Sequence, residues 1–285
     1  MCYTRPMKAA AQRPRRLVGP SRGVRGHRWL VFIHQLPAQP SNARVKIWRR
    51  MQQIGAVAVK NAVYVLPNNE QSREDFEWLR AEVAALGGEA TIFAATSVKG
   101  LPPKFEERQV KSSGRPRGRA PHQAEVVRPP ALDPKDYRGR VWVTRPRPGV
   151  DRFASAWLIR RFVDAEARFA FGSSPEKAPG AVPFDMYQAG GFKHEGDRCT
   201  FEVLCERFAI ADEALCRIGQ IVHDIDLKDD RFKDPHASTI SALVDGLRAS
   251  FADDATLLEQ GMRMFEALYQ SLAAKGVKRG KPKIC

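Results

Sequence analysis

The chain has 285 residues, 43% of them hydrophobic, and a formal net charge of +15. That length supports two domains with their own cores. No apolar run approaches the ~18 residues of a membrane span, and no hydrophobic signal-peptide core follows the Arg-rich start, so membrane residence and export are excluded and a cytoplasmic protein is expected.

The charge is one-sided. Residues 1–140 hold 26 Lys and Arg against 11 Asp and Glu, whereas residues 141–285 hold 21 of each. A polyanion is the natural partner of such a first half, because each neutralised phosphate releases a condensed counterion. The five cysteines, Cys2, Cys199, Cys205, Cys216 and Cys285, lack CxxC spacing, which argues against a disulfide framework or zinc ribbon.

In chain order, residues 1–27 are rich in Arg, Pro and Gly and are expected to form a disordered basic arm, with Met7 as an alternative start. Residues 28–101 read as a first domain. Trp29-Leu30-Val31-Phe32-Ile33 predicts a buried strand ended by Pro37 and Pro40. Ser41 suits the N-cap of a helix to about Ile54, stopped by Gly55. Val45, Trp48, Met51 and Gln52 recur on one of its faces, and Arg44, Lys46, Arg49 and Arg50 form the other, a candidate DNA contact. Strands at Ala56–Lys60 and Ala62–Leu66, a helix over about Ser72–Ala85 and a strand at Ala90–Ala95 complete the domain. The order β-α-β-β-α-β predicts a ferredoxin-like α+β domain.

Residues 102–140, rich in Lys, Arg, Pro, Gly and Ser, predict a basic linker. The second domain spans 141–274 and is expected to be largely α-helical. It has a strand at Val141–Thr144 and helices at about Val150–Val163, Thr200–Phe208, Glu213–Asp226 and Asp253–Ala274. Residues 275–285 form a basic tail.

Three stretches of this domain concentrate ligand-capable side chains. In the first, Asp151 and Ser155 share a face of the opening turns of a helix, with Arg145, Arg147 and Arg152 nearby; the bland alternative is that Asp151 only favours the helix N-terminus. In the second, His194, Glu195, Arg198, Cys199 and Glu202 run from a turn into a helix. Here Glu195 paired with Arg198 and a buried Cys199 are the structural alternative. In the third, His223 and Asp226 lie three apart at a helix end, where a His also complements the dipole. Histidine and carboxylate sets of this kind build zinc and non-haem iron sites. Asp151, His194, Glu195, His223 and Asp226 are therefore the candidate ligands of a divalent metal, zinc or iron. Cys199 is the redox candidate, as the one cysteine beside other candidate ligands. No P-loop, GxGxxG or Ser-His-Asp order occurs, so nucleotide binding and triad hydrolysis rank low.

The stretches Thr144-Arg-Pro-Arg-Pro-Gly-Val-Asp-Arg-Phe-Ala-Ser-Ala-Trp-Leu-Ile-Arg-Arg-Phe-Val-Asp164, Val182-Pro-Phe-Asp-Met186, His194-Glu-Gly-Asp-Arg-Cys-Thr-Phe-Glu202 and Ile221-Val-His-Asp-Ile-Asp-Leu-Lys-Asp-Asp230 resemble the C-terminal domain of the chromate resistance protein ChrB family. Gln35-Leu-Pro, Arg44-Val-Lys-Ile-Trp-Arg-Arg50 and Asn61-Ala-Val-Tyr-Val-Leu-Pro67 resemble its N-terminal domain. The resemblance implies a bacterial cytoplasmic regulator with chromate as effector, acting on operator DNA upstream of a chromate transporter gene. Chromate is a tetrahedral dianion, so Arg145, Arg147, Arg152 and Arg198 are the charge-complementary candidates for it. Two departures stand out. The short Pro/Gly/Arg linker around Ser112–His122 replaces a longer helical segment, which bears on homodimer formation, and the arm before Gly26 lies outside the pattern. A ferredoxin-like domain is not a helix-turn-helix, and residues 28–95 contain no evident recognition helix. A metal-dependent enzyme acting on oxyanions or reactive oxygen, and an RNA-associated protein, are the competing readings.

Overall fold

The computed structural model describes residues 27–38, 42–99, 101, 131–172, 180–187 and 190–276. The basic arm up to residue 26, the Ser41 cap, the linker over 102–130 and the tail from 277 lie outside the described residues. No helix among those described is long and apolar enough to cross a membrane.

The first half runs β1 (Trp29–Gln35), α1 (Asn42–Gln53), β2 (Val57–Lys60), β3 (Val63–Pro67), α2 (Glu70–Ala85) and β4 (Glu89–Ala95). Its sheet has the order β2-β3-β1-β4, with every neighbouring pair antiparallel. Alternate β1 residues Leu30 and Phe32 face inward and pack with Ile47 and Met51 of α1 and Phe76, Leu79 and Val83 of α2. The inward stripe of α1 is Ala43, Ile47 and Met51, whereas Val45 and Trp48 are exposed, which corrects the face assigned from the sequence. The smaller stripe is inside because it meets the sheet. Helix α2 begins two residues before its expected start, since the Asn69 side chain accepts from the Ser72 amide at 2.8 Å and caps it.

The second half is helical around a small sheet that the sequence reading missed apart from its first strand. It contains a 3-10 turn (Pro134–Tyr137), β5 (Val141–Thr144), α3 (Val150–Leu158) continuing into a π turn (Ile159–Val163), β6 (Arg168–Phe171), β7 (Val182–Pro183), α4 (Thr200–Arg207), α5 (Glu213–Asp226), α6 (Ala237–Ser250) and α7 (Asp254–Gly276). The sheet is parallel, in the order β6-β5-β7. Helix α3 is buried along its whole length and forms the axis of this half. The residues just before β5, assigned to the linker by composition, belong to this core: Tyr137 packs on Trp142 and Phe208.

Helix α2 joins the halves. Its residues Phe76, Leu79 and Val83 face its own sheet, and Glu70, Glu74 and Trp78, spaced four apart, face the second half. Glu70 pairs with Arg248 at 2.8 Å, and Asp75 receives Lys228 at 2.7 Å. Arg50 of α1 donates to the Leu227 carbonyl at 3.1 Å, just past the end of α5.

Candidate functional site

Asp151, in the first turn of α3, is 2% exposed and its carboxylate is fully engaged. Oδ2 accepts from the Thr200 amide and Oδ1 from the Phe201 amide, both at 2.8 Å, and the Ser155 hydroxyl donates to Oδ1 at 3.4 Å. Asp151 thus serves the opening amides of α4 as well as its own helix, which explains why an acidic residue is tolerated in so buried a place.

Asp185 lies just after β7 with a φ of 50°, a left-handed conformation open to Asp at modest cost. Its Oδ1 accepts from the Thr200 hydroxyl at 3.1 Å, and its Oδ2 takes Arg145 at 2.6 Å and Arg152 at 3.2 Å. Gly191 holds the returning chain against this strand. Its φ is +64°, and a Cβ there would lie 2.0 Å from the Pro183 carbonyl oxygen, so only glycine lets Phe192 and then His194 come this close.

His194 is the meeting point. Its Nε2 lies 3.2 Å from Asp151 Oδ2, 3.1 Å from Asp226 Oδ2 and 3.6 Å from Asp185 Oδ1. Asp226 Oδ2 is at ion-pair distance but without an aligned hydrogen bond. Burial alone would lower the imidazolium's pKa, yet the carboxylates of Asp226, Asp151 and Asp185 outweigh it and push it up to about 10. Burial pushes Asp226 the other way for an acid, up to about 6, against the pull of His194. The indole of Trp78 stacks on the His194 ring, with centroids 4.1 Å apart and planes 4° from parallel. A cavity of about 40 Å³ opens beside the cluster, walled in part by Glu74, Asp151, Arg152, Asp185, Asp226 and Arg248. It admits a few water-sized groups, far short of the roughly 300–1,000 Å³ of organic-ligand pockets, and so suits small inorganic species.

Of the five residues read as metal ligands, the structure brings together Asp151, His194 and Asp226. The remaining two, Glu195 and His223, do not join that convergence. Glu195 pairs with Arg198 at 3.3 Å. His223 is enclosed between Glu202 at 2.8 Å and Asp229 at 3.2 Å. Asp185 takes their place; with Asp151 and His194 it offers ligand atoms within 4.8 Å of one another. Cys199 is buried, and burial raises its thiol well above the ordinary range, so it is protonated and shielded from solution. Cys199 and Cys205 are free thiols, whereas Cys216 is disulfide-bonded.

The arginines read as oxyanion candidates are all engaged. Arg145 and Arg152 share Glu74, at 2.9 and 3.1 Å, as well as Asp185. The Arg145 guanidinium also meets the Tyr187 hydroxyl and lies 3.9 Å from the centre of that ring. Arg147 donates to the carbonyls of Phe251 and Arg248 at the end of α6 and lies 3.7 Å from Glu70. Arg198 holds Glu195 and Glu206. Of the candidate DNA contacts, Arg44 and Arg49 are exposed. Lys46 and Arg50 lie 2.8 and 3.8 Å from Glu82.

Sequence reasoning missed Glu74, Trp78, Asp185 and Tyr187. Asp185 lay within a quoted motif, but no periodic element framed it. Glu74 and Trp78 sit in a helix whose many charges read as a solvated face.

A basic α+β half and a helical half, joined by ion pairs over a buried carboxylate and histidine cluster, define a two-domain protein with its ionisable site at the join. Residues 142–272 match the C-terminal domain of ChrB and residues 44–109 match Protein ChrB, N-terminal, and the chain belongs to the ChrB family. It is 28% identical to Protein ChrB of Cupriavidus metallidurans over 307 residues, covering 85% of this chain and 94% of that protein. No solved structure matches the chain.

Proposed function

We propose that this ChrB-family chain, whose family ties it to chromate resistance, is a chromate-responsive transcription regulator. Its basic first half contacts DNA and its second half senses the effector through the cluster at the join. The observation that carries this reading is that α2, a helix of the basic half, contributes Trp78 and Glu74 directly to that cluster, so a ligand there acts on the other half without an intermediary. The sheet order β2-β3-β1-β4 with both helices packed into one core supports a ferredoxin-like first half.

Asp151, Asp185, His194 and Asp226 are the groups that would hold a divalent cation of the iron or zinc kind, since hard carboxylates with one imidazole suit such ions. When bound, the ion would supply fixed positive charge at the join. The chain's own residues orient the donors: the Thr200 and Phe201 amides hold Asp151, and the Thr200 hydroxyl holds Asp185.

Two measurements test the reading. Binding of the full chain to its upstream DNA at ~150 mM salt, where nonspecific phosphate attraction is weak, should be specific and altered by chromate; sequence-independent, chromate-indifferent binding overturns it. Elemental analysis should find a metal in wild type and in His223→Gln but not in His194→Ala. Full stoichiometry in His194→Ala removes the metal assignment.

A further inference from the structure

The basic side chains of the second half that crowd the join are covered by carboxylates of one helix of the first. Arg145 and Arg152, 6% and 2% exposed, meet on Glu74. Arg248 pairs with Glu70, and Arg147 lies near it. Glu74 and Glu70 are one turn apart on α2, so a single element carries both counter-charges. The second half offers Arg145 and Arg152 a carboxylate of its own, Asp185, and Glu74 is the partner supplied from outside. Both arginines are nevertheless ionised: burial disfavours the Arg145 charge, and Asp185 with Glu74 outweighs it. Glu74 in turn is driven up by burial and brought below its ordinary range by Arg152 and Arg145.

From this arrangement we infer that Glu74 is a resident carboxylate in an oxyanion seat: Arg145 and Arg152 bind a tetrahedral dianion of the chromate class in exchange for Glu74, and the exchange frees α2 from the second half. The chemistry favours the swap. Guanidinium forks match the paired oxygens of a tetrahedral oxyanion as well as those of a carboxylate, and a dianion brings twice the charge of Glu74 to the same two cations. The cavity already borders Glu74, Arg152 and Arg248, so the incoming ion has a place to form its first contacts before Glu74 leaves. Loss of Glu74 leaves α2 attached through the Trp78 stack, Asp75 and Glu70, of which Glu70 is half exposed. The inference rests on the regulator reading for the identity of the ion and deepens it by naming the seat and the part that moves.

Equilibrium dialysis of the full chain with chromate, and in parallel with sulfate, tests it. Glu74→Gln keeps the shape of the helix face and removes the competing charge; it should bind chromate about tenfold more tightly than wild type, the scale of one lost charge-assisted contact. Arg145→Lys, which keeps charge but not the fork, should weaken binding. Hydrogen exchange of the wild-type amides in α2 should quicken on saturation. Equal chromate affinity in wild type and Glu74→Gln overturns the proposal. Should Glu74→Gln not fold, Glu74→Asp, with a reach one methylene shorter, must also tighten binding, and equal affinity there overturns it as well. Sulfate bound as tightly as chromate supports the seat as one for tetrahedral dianions at large. DNA binding measured on the same samples separates the two claims. A Glu74-dependent affinity with chromate-indifferent DNA binding keeps the seat and removes the regulator; chromate-sensitive DNA binding with unchanged affinity in Glu74→Gln removes the seat alone.

Discussion

His223 shows how a buried charge is kept, and it does so away from the convergence on His194. It is wholly enclosed, with Glu202 of α4 on Nδ1, Asp229 on Nε2 and the edge of Phe232 against its face. Burial pulls its pKa down, but Asp229 and Glu202 outweigh it and hold it at about 9, against an ordinary 6.5. The nearest outside influence is Arg50 of α1, which acts on Asp229. A group whose folded pKa is raised stabilises fully below its unfolded value and loses that contribution as pH climbs through the folded value. Stability is therefore expected to fall between pH 7 and roughly pH 10, by on the order of 2 kcal/mol from this residue. His194 titrates in the same window, so the check is the difference between wild type and His223→Gln in urea denaturation; the variant should have the flatter pH profile, and parallel profiles would refute the assignment. From the sequence the two histidines were equivalent, each beside acidic neighbours. What separates them is which carboxylates arrive from other elements, Asp151 and Asp185 for one and Glu202 for the other, and spacing along the chain carries no record of that.

Helices α3 and α7 show the same limit among elements. Gly261 lies where a Cβ would stand 2.2 Å from the ring of Phe153, itself fully buried, so α7 crosses α3 at a distance only glycine permits. In an isolated helix Gly261→Ala would gain about 1 kcal/mol of propensity, but here overpacking against an aromatic ring in a filled core costs about 1–3 kcal/mol and the ring has no free space to enter. Denaturant unfolding should show Gly261→Ala to be less stable than wild type; a stabilised variant would mean that α3 and α7 are not packed this closely. Long, strongly patterned elements such as α5 and α2 were legible because their apolar spacing is unambiguous. Helix α6 was not, since its Ala, Ser and Gly content leaves only Ile240 and Val244 buried. Strands β6 and β7 were missed because they are short and gain their partner, β5, through parallel pairing with residues 20 or more positions away. In α1 both stripes are written in the sequence, and the larger side chains of Val45 and Trp48 drew the assignment; only the position of the sheet selects Ala43, Ile47 and Met51.

At the scale of the whole molecule, the excess positive charge of the first half has two destinations. Some of it is spent internally: Lys46 and Arg50 face Glu82, and Arg50 also reaches the Leu227 carbonyl of the second half. The rest faces outward on α1, where Arg44 and Arg49 flank the exposed Trp48. A cation that already holds a carboxylate releases little counterion on meeting a phosphate, because its charge is neutralised beforehand; a free one releases nearly a full ion. The slope of log affinity against log salt for nucleic acid should therefore fall by about 1 for each of Arg44→Ala and Arg49→Ala, with a loss of affinity uniform across sequences. Lys46→Ala should leave the slope close to that of wild type, and Arg50→Ala should do the same while loosening the join at Leu227. Titrations of the four variants over a salt series decide it. Equal slopes for all four would mean that Glu82 gives up Lys46 and Arg50 on binding, or that α1 does not face the nucleic acid; a Glu82→Gln variant separates these, since the first predicts a steeper slope and the second no change.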